Sequence, residues 1–423
     1  MAHNGTITEQ QARDETVRCL SCFDAPCTQA CPAHIDIPKF IAMMRQDNIR
    51  GAAEVVRSAN AMANVCGAVC PEEVFCQSVC NRASIDSPIN IRELHAFVTH
   101  RELDLGQSRL ARFPGSGKRV AVVGGGPTGL SCAFELAKMG HAVTLFDGEG
   151  PGGIPRRSIP TFRLTEKTVS ADVGFLIANF KTVRKNVRAK DLQSTKRKFD
   201  AVFLASGLGN DRPLSTKGEK LDGVIPVLQF LQGAKKGNGP RLTRKRVVVV
   251  GGGNVSLDAA AMAKRLGAST VTLIYRRGEK EMKVWKSELQ EAIKQGVEFR
   301  FLTSPAEIVG KKKVSGIVCR RTKLSTKKDS SGRPIPVEVK GSEHVIAADL
   351  VIIAIGQEIA PGLFDTLERT PRGYIKVDKE FRTSEPGIFA GGDMVSGEGT
   401  IVQSVAHGKS AANAIHGYIS SQR

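Results

Sequence analysis

The sequence predicts an α/β protein: a helical, cysteine-rich amino-terminal segment followed by two dinucleotide-binding units of the Rossmann kind. Three observations carry this. The run RVAVVGGGPTG (Arg119 to Gly129) drives an apolar, β-branched strand into a glycine turn, and SCAFELAKMG follows with helical spacing. A second run, RVVVVGGGNVSLDAAAMAKRLG (Arg246 to Gly267), repeats the arrangement. Eight of the ten cysteines fall between positions 19 and 80.

The 423 residues suffice for two or three domains with real cores, and 41% hydrophobic with 24% charged is ordinary for a globular chain. No run reaches ~18 apolar residues, so no membrane span is expected. The opening MAHNGTITEQQARDE lacks a basic stretch followed by an apolar one, which makes the cytoplasm the expected location. The net charge of +19 is unevenly shared. Residues 1–105 carry 9 basic and 13 acidic side chains, and the remainder 52 and 29. The basic patches at Lys181 to Lys198, Lys235 to Arg246 and Lys311 to Lys328 lack interleaved aromatics. That composition argues for a solvated surface, then for attraction of anionic nucleotides, and against nucleic acid.

In chain order, the cysteines come first. They read C-x2-C-x4-C-x3-C-P (Cys19, Cys22, Cys27, Cys31) and C-x3-C-P-x4-C-x3-C (Cys66, Cys70, Cys76, Cys80). Zinc suits short thiolate spacings. The Cys-Pro in each quartet and the closeness to the bacterial ferredoxin run favour two 4Fe–4S clusters with interleaved ligands. Helical patterns lie between the quartets at Ile37 to Arg45 and Gly51 to Asn60. Ile89 to His100 reads as another helix, and Arg101 to Gly117 as a linker.

In the first unit Gly124 makes the tight turn, Gly126 lets backbone approach a pyrophosphate, and Gly129 lets the helix pack on the strand. A second strand, His141 to Phe146, ends in Asp147, about 20 residues past the loop, where a carboxylate takes ribose hydroxyls. A glycine-rich connection follows, with Gly152 and Gly153 able to lie against a ligand, then the strand AVFLASG (Ala201 to Gly207). Lys235 to Arg246 is a candidate boundary.

The second loop carries Gly251, Gly253 and, at the third position, the small Ser256. Its second strand, Thr270 to Tyr275, ends in Arg276-Arg277. Guanidinium groups bind a ribose 2′-phosphate that a carboxylate would repel. The first unit therefore suits an adenine dinucleotide with free ribose hydroxyls, and the second suits NADPH. Phe301 to His344 reads as a surface hairpin, followed by the strand ADLVIIAIG (Ala348 to Gly356). Near the end a strand delivers Gly391-Gly392-Asp393 to a loop before a long amphipathic helix. Asp393 suits either a flavin ribityl hydroxyl or a helix cap.

Together these motifs resemble the NAD(P)H-oxidising flavoprotein shared by glutamate synthase small subunits and the amino-terminal half of dihydropyrimidine dehydrogenase. The resemblance spans essentially the whole chain. It rests on CLSCFDAPCTQACPAHIDIPKFI, VCGAVCPEEVFCQSVCN, GGGPTGL, IPTFRL, GGGNVSLD, YRR and FAGGD. The cluster segment looks most like the small subunit of the bacterial two-subunit dihydropyrimidine dehydrogenase, which passes electrons to an FMN-containing partner. The resemblance implies a cluster domain over 1–110 and an FAD domain split between 111–238 and 356–423. An NADPH domain over 239–355 is inserted between those parts. It adds Gly153, Arg163, Gly392, Asp393 and Thr400 on the FAD side, and Asn254 and Lys283 on the NADPH side. Cys19, Cys22, Cys27 and Cys80 would hold one cluster, and Cys31, Cys70 and Cys76 three irons of the other. At the family's Gln or Glu ligand in a segment like INIRELHAF stands His95, with Cys66 its rival.

The expected function is electron transfer from NADPH through FAD and the clusters to a partner that reduces a pyrimidine, with a glutamate synthase small subunit as the alternative. No catalytic acid–base pair is visible, and hydride transfer to flavin requires none. A disulfide reductase would need a C-x-x-C near a nucleotide unit, but Cys132 and Cys319 are isolated. The non-enzymatic alternative is a zinc-binding scaffold.

Overall fold

The computed structural model describes residues 7–106, 113–180, 182–185 and 192–422. Parts of the expected linker (101–117) and of the basic patch at 181–198 lie outside them. The chain forms two compact units. One comprises Met1–Arg156, Thr161–Gly209 and Ile359–Arg423, the other Arg157–Pro160 and Asn210–Glu358.

In the first unit the helices Glu9–Arg18, Ile37–Arg45 and Ile49–Ala59 each start on a side-chain cap, from Thr8, Asp36 and Asn48 respectively. With Ala63–Val69 and Ile91–Leu105 they enclose Phe40, Ile41, Val56, Met62, Leu94 and Val98. The five-stranded sheet beside them is wholly parallel, in the order Ile388–Ala390, Ala201–Leu204, Arg119–Val123, Ala142–Asp147, Thr182–Lys185. Buried on both faces, its inner strands Arg119–Val123 and Ala201–Leu204, with Ile388–Ala390, read as continuous apolar runs. The carboxy-terminal strand thus joins the first sheet, and the long helix Ile401–Ser421 packs on Pro127–Lys138. Gly408 permits this approach, since a Cβ there would lie 2.3 Å from the Thr128 carbonyl oxygen.

A buried charge network ties the cysteine-bearing helices to the sheet domain of the same unit. Arg57 donates through Nε and Nη2 to Glu102 Oε2 at 2.8 and 2.6 Å, and through Nη1 to Asp172 Oδ1 at 3.3 Å. Asp172, on Glu166–Ile177, also accepts from the backbone amides of Asn64 and Val65, the first turn of the helix that carries Cys66.

The second unit holds another parallel sheet, in the order Val224–Pro226, Leu350–Ala354, Arg246–Gly251, Thr270–Ile274, Glu298–Arg300. Because Val224–Pro226 pairs with Leu350–Ala354, this unit takes in residues from 210 to 358, wider than the 239–355 read from the sequence. The expected surface hairpin is a four-stranded antiparallel sheet of Thr303–Gly310, Val314–Lys328, Pro334–Glu338 and His344–Ala347. Ile308, Ile317 and Cys319 from it share a core with Val248, Ile274 and Val351 of the parallel sheet.

Candidate functional site

The first glycine loop meets the demands of a diphosphate cradle. Gly124 has φ +107°, and a Cβ on it would stand 2.3 Å from the Ala205 carbonyl oxygen. A Cβ on Gly129 would stand 1.9 Å from the Gly124 carbonyl oxygen, so the helix packs as closely as backbone allows. Gly126 faces open space, its nearest neighbour for a Cβ being the Gly153 Cα at 3.9 Å. It caps Pro127–Lys138 without any side-chain hydrogen bond, leaving the first amides to a ligand.

Asp147 Oδ2 accepts from the Gly125 amide at 2.7 Å and Oδ1 from the Glu149 amide at 2.9 Å, so the carboxylate is fixed beside the loop. Gly153 (φ +57°) backs onto Gly126, and the Gly152 amide donates to the Gly125 carbonyl at 2.7 Å. Arg163 lies half-buried in the turn before Glu166–Ile177. Gly392 (φ +73°) brings the carboxy-terminal strand against Thr128, in the first turn of the dinucleotide helix. Asp393 is thereby delivered to the same neighbourhood and opens the short helix Asp393–Ser396. Burial, then the nearby Glu398 charge, pushes its carboxyl up to about 7. Thr400 is the cap of Ile401–Ser421, in a reciprocal box with Gln403.

The second loop repeats the geometry. A Cβ on Gly251 would stand 2.1 Å from the Ala354 carbonyl oxygen. Gly253 has nothing within 4 Å of that position and caps Asn254–Arg265 without a side-chain bond. Ser256 donates to the Gly253 carbonyl at 2.5 Å, and Asn254 Oδ1 accepts from the Trp285 amide. Lys283 forms a backbone bridge with Gly253.

The two arginines separate. Arg276 opens to solvent at the strand end, whereas Arg277 is buried, paired with Asp329 at 2.6 Å and donating to the Pro334 carbonyl. Arg277 is a structural ion-pair partner here, which corrects the expectation that both heads face a phosphate.

The thiols fall into two groups. Burial pushes Cys27 up to about 11 and Cys66 up to about 12, and it also raises Cys19, Cys31, Cys70 and Cys76. On one side are Cys19, Cys22, Cys27 and Cys80: the charges of Cys22 and Cys80 raise Cys19 further, and those of Cys19 and Cys80 raise Cys27. On the other, Cys31 raises Cys66, Cys31 and Cys66 raise Cys70, and Cys31, Cys70 and also Cys27 raise Cys76. The first four line one pocket with Ile37, Ile41, Ile89 and Ile91, an apolar shell that fits a cluster. Asn81 Nδ2 stands 3.5 Å from Cys22 Sγ. Left-handed backbone at Ser21, Ala25 and His34 aims the first run, at a cost of about 1–2 kcal/mol for each non-glycine residue.

His95 is buried on Ile91–Leu105, where desolvation lowers it to about 4 and keeps it neutral. The Ala63 carbonyl faces the ring, and Nε2 has no hydrogen-bond partner among the described residues. Among the described residues no three His, Cys, Asp or Glu side chains meet at one point as a single ion requires. A cubane, giving each thiolate its own iron, does not require it.

Sequence reasoning missed Thr128, the Asp172 network and the turn that carries Asp329 and Arg333. Only the last left a signal: DSSGR is turn chemistry, though nothing in it says where the turn docks.

Residues 118–412 match the pyridine nucleotide-disulphide oxidoreductase family, and residues 2–107 match dihydropyrimidine dehydrogenase domain II, 4Fe-4S cluster. The chain is 37% identical to the NADP(+)-dependent formate dehydrogenase subunit beta of Moorella thermoacetica, over 93% of its own length and 60% of that protein's. It is 35% identical to the NAD-dependent dihydropyrimidine dehydrogenase subunit PreT of Escherichia coli K12, covering 98% of this chain and 95% of that one. Identity to the glutamate synthase (NADPH) small chain of E. coli K12 is 33%, covering 98% and 92%. In fold it is similar to Mycobacterium tuberculosis FprA in complex with NADPH, with a TM-score of 0.64 at 23% identity, over 73% of this chain and 85% of that one.

Fold and site together define an NAD(P)H-dependent oxidoreductase subunit that uses FAD and 4Fe–4S chemistry. Within that class, the chain belongs to the family of the PreT subunit and the glutamate synthase small chain.

Proposed function

We propose that this subunit oxidises NADPH and passes the electrons through two 4Fe–4S clusters to a partner that reduces a pyrimidine. The observation that carries the reading is the apolar pocket that Cys19, Cys22, Cys27 and Cys80 line together, in the same compact unit as the first glycine loop. The bound groups supply hydride acceptance at FAD and single-electron release through iron, which splits a two-electron donor into one-electron steps.

The chain's own residues hold these groups. The amides after Gly126 and the Asp147 and Asp393 carboxyls take FAD, joined by Arg163. The amides after Gly253, with Asn254, Lys283 and Arg276, take the nicotinamide nucleotide. Cys19, Cys22, Cys27 and Cys80 take one cluster; Cys31, Cys70, Cys76 and the unpaired Nε2 of His95 take the other.

Protein prepared without oxygen should carry about eight iron and eight sulfide per chain and release FAD on denaturation. NADPH should bleach both the flavin and the cluster absorbance. Zinc in place of iron, or FMN in place of FAD, would sink the reading. The glutamate synthase alternative is kept by the 33% identity over 98% of the chain. The co-purified complex decides between them: uracil-dependent NADPH oxidation supports the first, and glutamine- and 2-oxoglutarate-dependent oxidation the second.

A further inference from the structure

The second nucleotide loop has a cation that the sequence pattern did not reveal. Strand Thr270–Ile274 is followed by Tyr275, whose ring packs against the loop: a Cβ on Gly252 would stand 2.3 Å from ring carbon Cδ2. Tyr275 Oη donates to the Glu281 carbonyl at 2.9 Å, so its lone pairs face outward as acceptors. Into that position the antiparallel sheet sends Arg333, with Nη1 3.3 Å from Tyr275 Oη.

The turn that presents Arg333 is built for rigidity. Asp329 Oδ1 accepts from the Ser331 amide, the Ser331 hydroxyl and the Arg333 amide, at 2.8, 2.6 and 3.2 Å. The Asp329 amide donates back to the Arg333 carbonyl at 2.8 Å, and Gly332 supplies the positive φ, +79°. Ser331 Oγ accepts from Arg333 Nε at 2.9 Å. Arg277 staples this turn to the strand end through Asp329 and the Pro334 carbonyl. Its charge is spent on that staple, since it neutralises the carboxylate.

Two guanidinium groups, Arg277 and Arg333, therefore pair with one carboxylate, Asp329, and the exposed Arg276 feels the charge of all three. Partial desolvation, and then the like charges of Arg277 and Arg333, hold the Arg276 head below the usual arginine range. Arg277 lies 2.6 Å from the Asp329 carboxylate and Arg333 3.8 Å, so a single negative charge leaves net positive charge beside the glycine loop, which matches a phosphate dianion. We propose that Arg333, together with Arg276, selects the ribose 2′-phosphate of NADPH, in the place the sequence pattern assigns to Arg277. This rests on the reading of the second unit as an NADPH site.

The test is calorimetric titration of the holoenzyme with 2′,5′-ADP and with 5′-AMP, which differ only in the 2′-phosphate. Wild-type protein should bind 2′,5′-ADP more tightly. Arg333→Gln should weaken 2′,5′-ADP by about tenfold or more, the loss of one charge-assisted contact. It should leave 5′-AMP within about twofold, and Arg333→Lys should recover part of the loss by restoring charge. Equal losses for both nucleotides would mean that Arg333 only shapes the turn, and unchanged binding of both would remove it from the site; either overturns the proposal. If wild-type protein does not distinguish the two nucleotides, the NADPH reading itself falls, and this assignment with it.

Discussion

Replacing Arg57 by Met should be among the most damaging single changes away from any cofactor. The side chains of Arg57, Glu102 and Asp172 are 1%, 4% and 0% exposed. Arg57 makes three charged hydrogen bonds and lies 4.7 Å from the centre of the Phe175 ring. With Arg57 gone, Asp172 keeps three donors: the Asn64 amide, Asn64 Nδ2 and the Val65 amide. Glu102 keeps none among the described residues. An uncompensated buried charge of this kind costs about 3–5 kcal/mol. The double change Arg57→Met with Glu102→Leu removes the stranded carboxylate and fills the space with apolar atoms. It should cost less than the single change, with about 1–2 kcal/mol left for the weakened support of Asp172. Urea unfolding of cofactor-loaded protein, followed by helix signal in one buffer, measures both. If the double variant unfolds at the same or a lower urea concentration than Arg57→Met, the stranded-charge argument is wrong.

Four further outcomes follow from the site. Gly124→Ala puts a Cβ 2.3 Å from the Ala205 carbonyl oxygen at φ +107°, so the purified variant should retain little FAD, read as flavin released per chain. Arg276→Ala should raise the KM for NADPH about tenfold or more and spare NADH, while Arg277→Ala should lower the Tm through loss of its bond to Asp329. His95→Ala should lower the iron content or shift the potential of one cluster, with Cys66→Ser doing neither; the opposite pattern would reverse the assignment. Asp393 binds its proton more tightly in the folded chain, at about 7 against 3.8. Its contribution to stability is therefore lost as pH rises through that window. Flavin-depleted Asp393→Asn should show a smaller fall in Tm between pH 5 and 8 than flavin-depleted wild type; an identical fall would remove Asp393 as the cause.

Both glycine loops were legible because strand, turn and helix follow within a dozen residues, although the backbone that crowds Gly124 and Gly251 comes from Ala205 and Ala354, far along the chain. The Arg57–Asp172 bond was not legible, since it joins residues 115 positions apart that share no motif. Nor could the sequence tell Arg276 from Arg277. Alternation separates an outward from an inward side chain only where one face of a strand is wet, and Val271 to Ile274 are buried on both.

The last ligand of the second cluster shows where counting residues stops helping. The segment offers nine donors, eight thiols and the His95 imidazole, for the eight places that two cubanes provide. Spacing cannot choose between Cys66 and His95, because both lie near the right helix. Physical chemistry can. Burial holds the Cys66 thiol in its protonated form by pushing it up to about 12. A neutral imidazole is different. The His95 Nε2 is a strong acceptor, buried without a partner, and such an atom costs about 1–3 kcal/mol until something binds it. Iron ligation would remove that cost at His95, whereas the burial that raises Cys66 raises Cys70 and Cys76 as well and so does not by itself set Cys66 apart. On the unpartnered Nε2 we propose His95 as the eighth ligand and Cys66 as the surplus donor, the pair of variants above being the test.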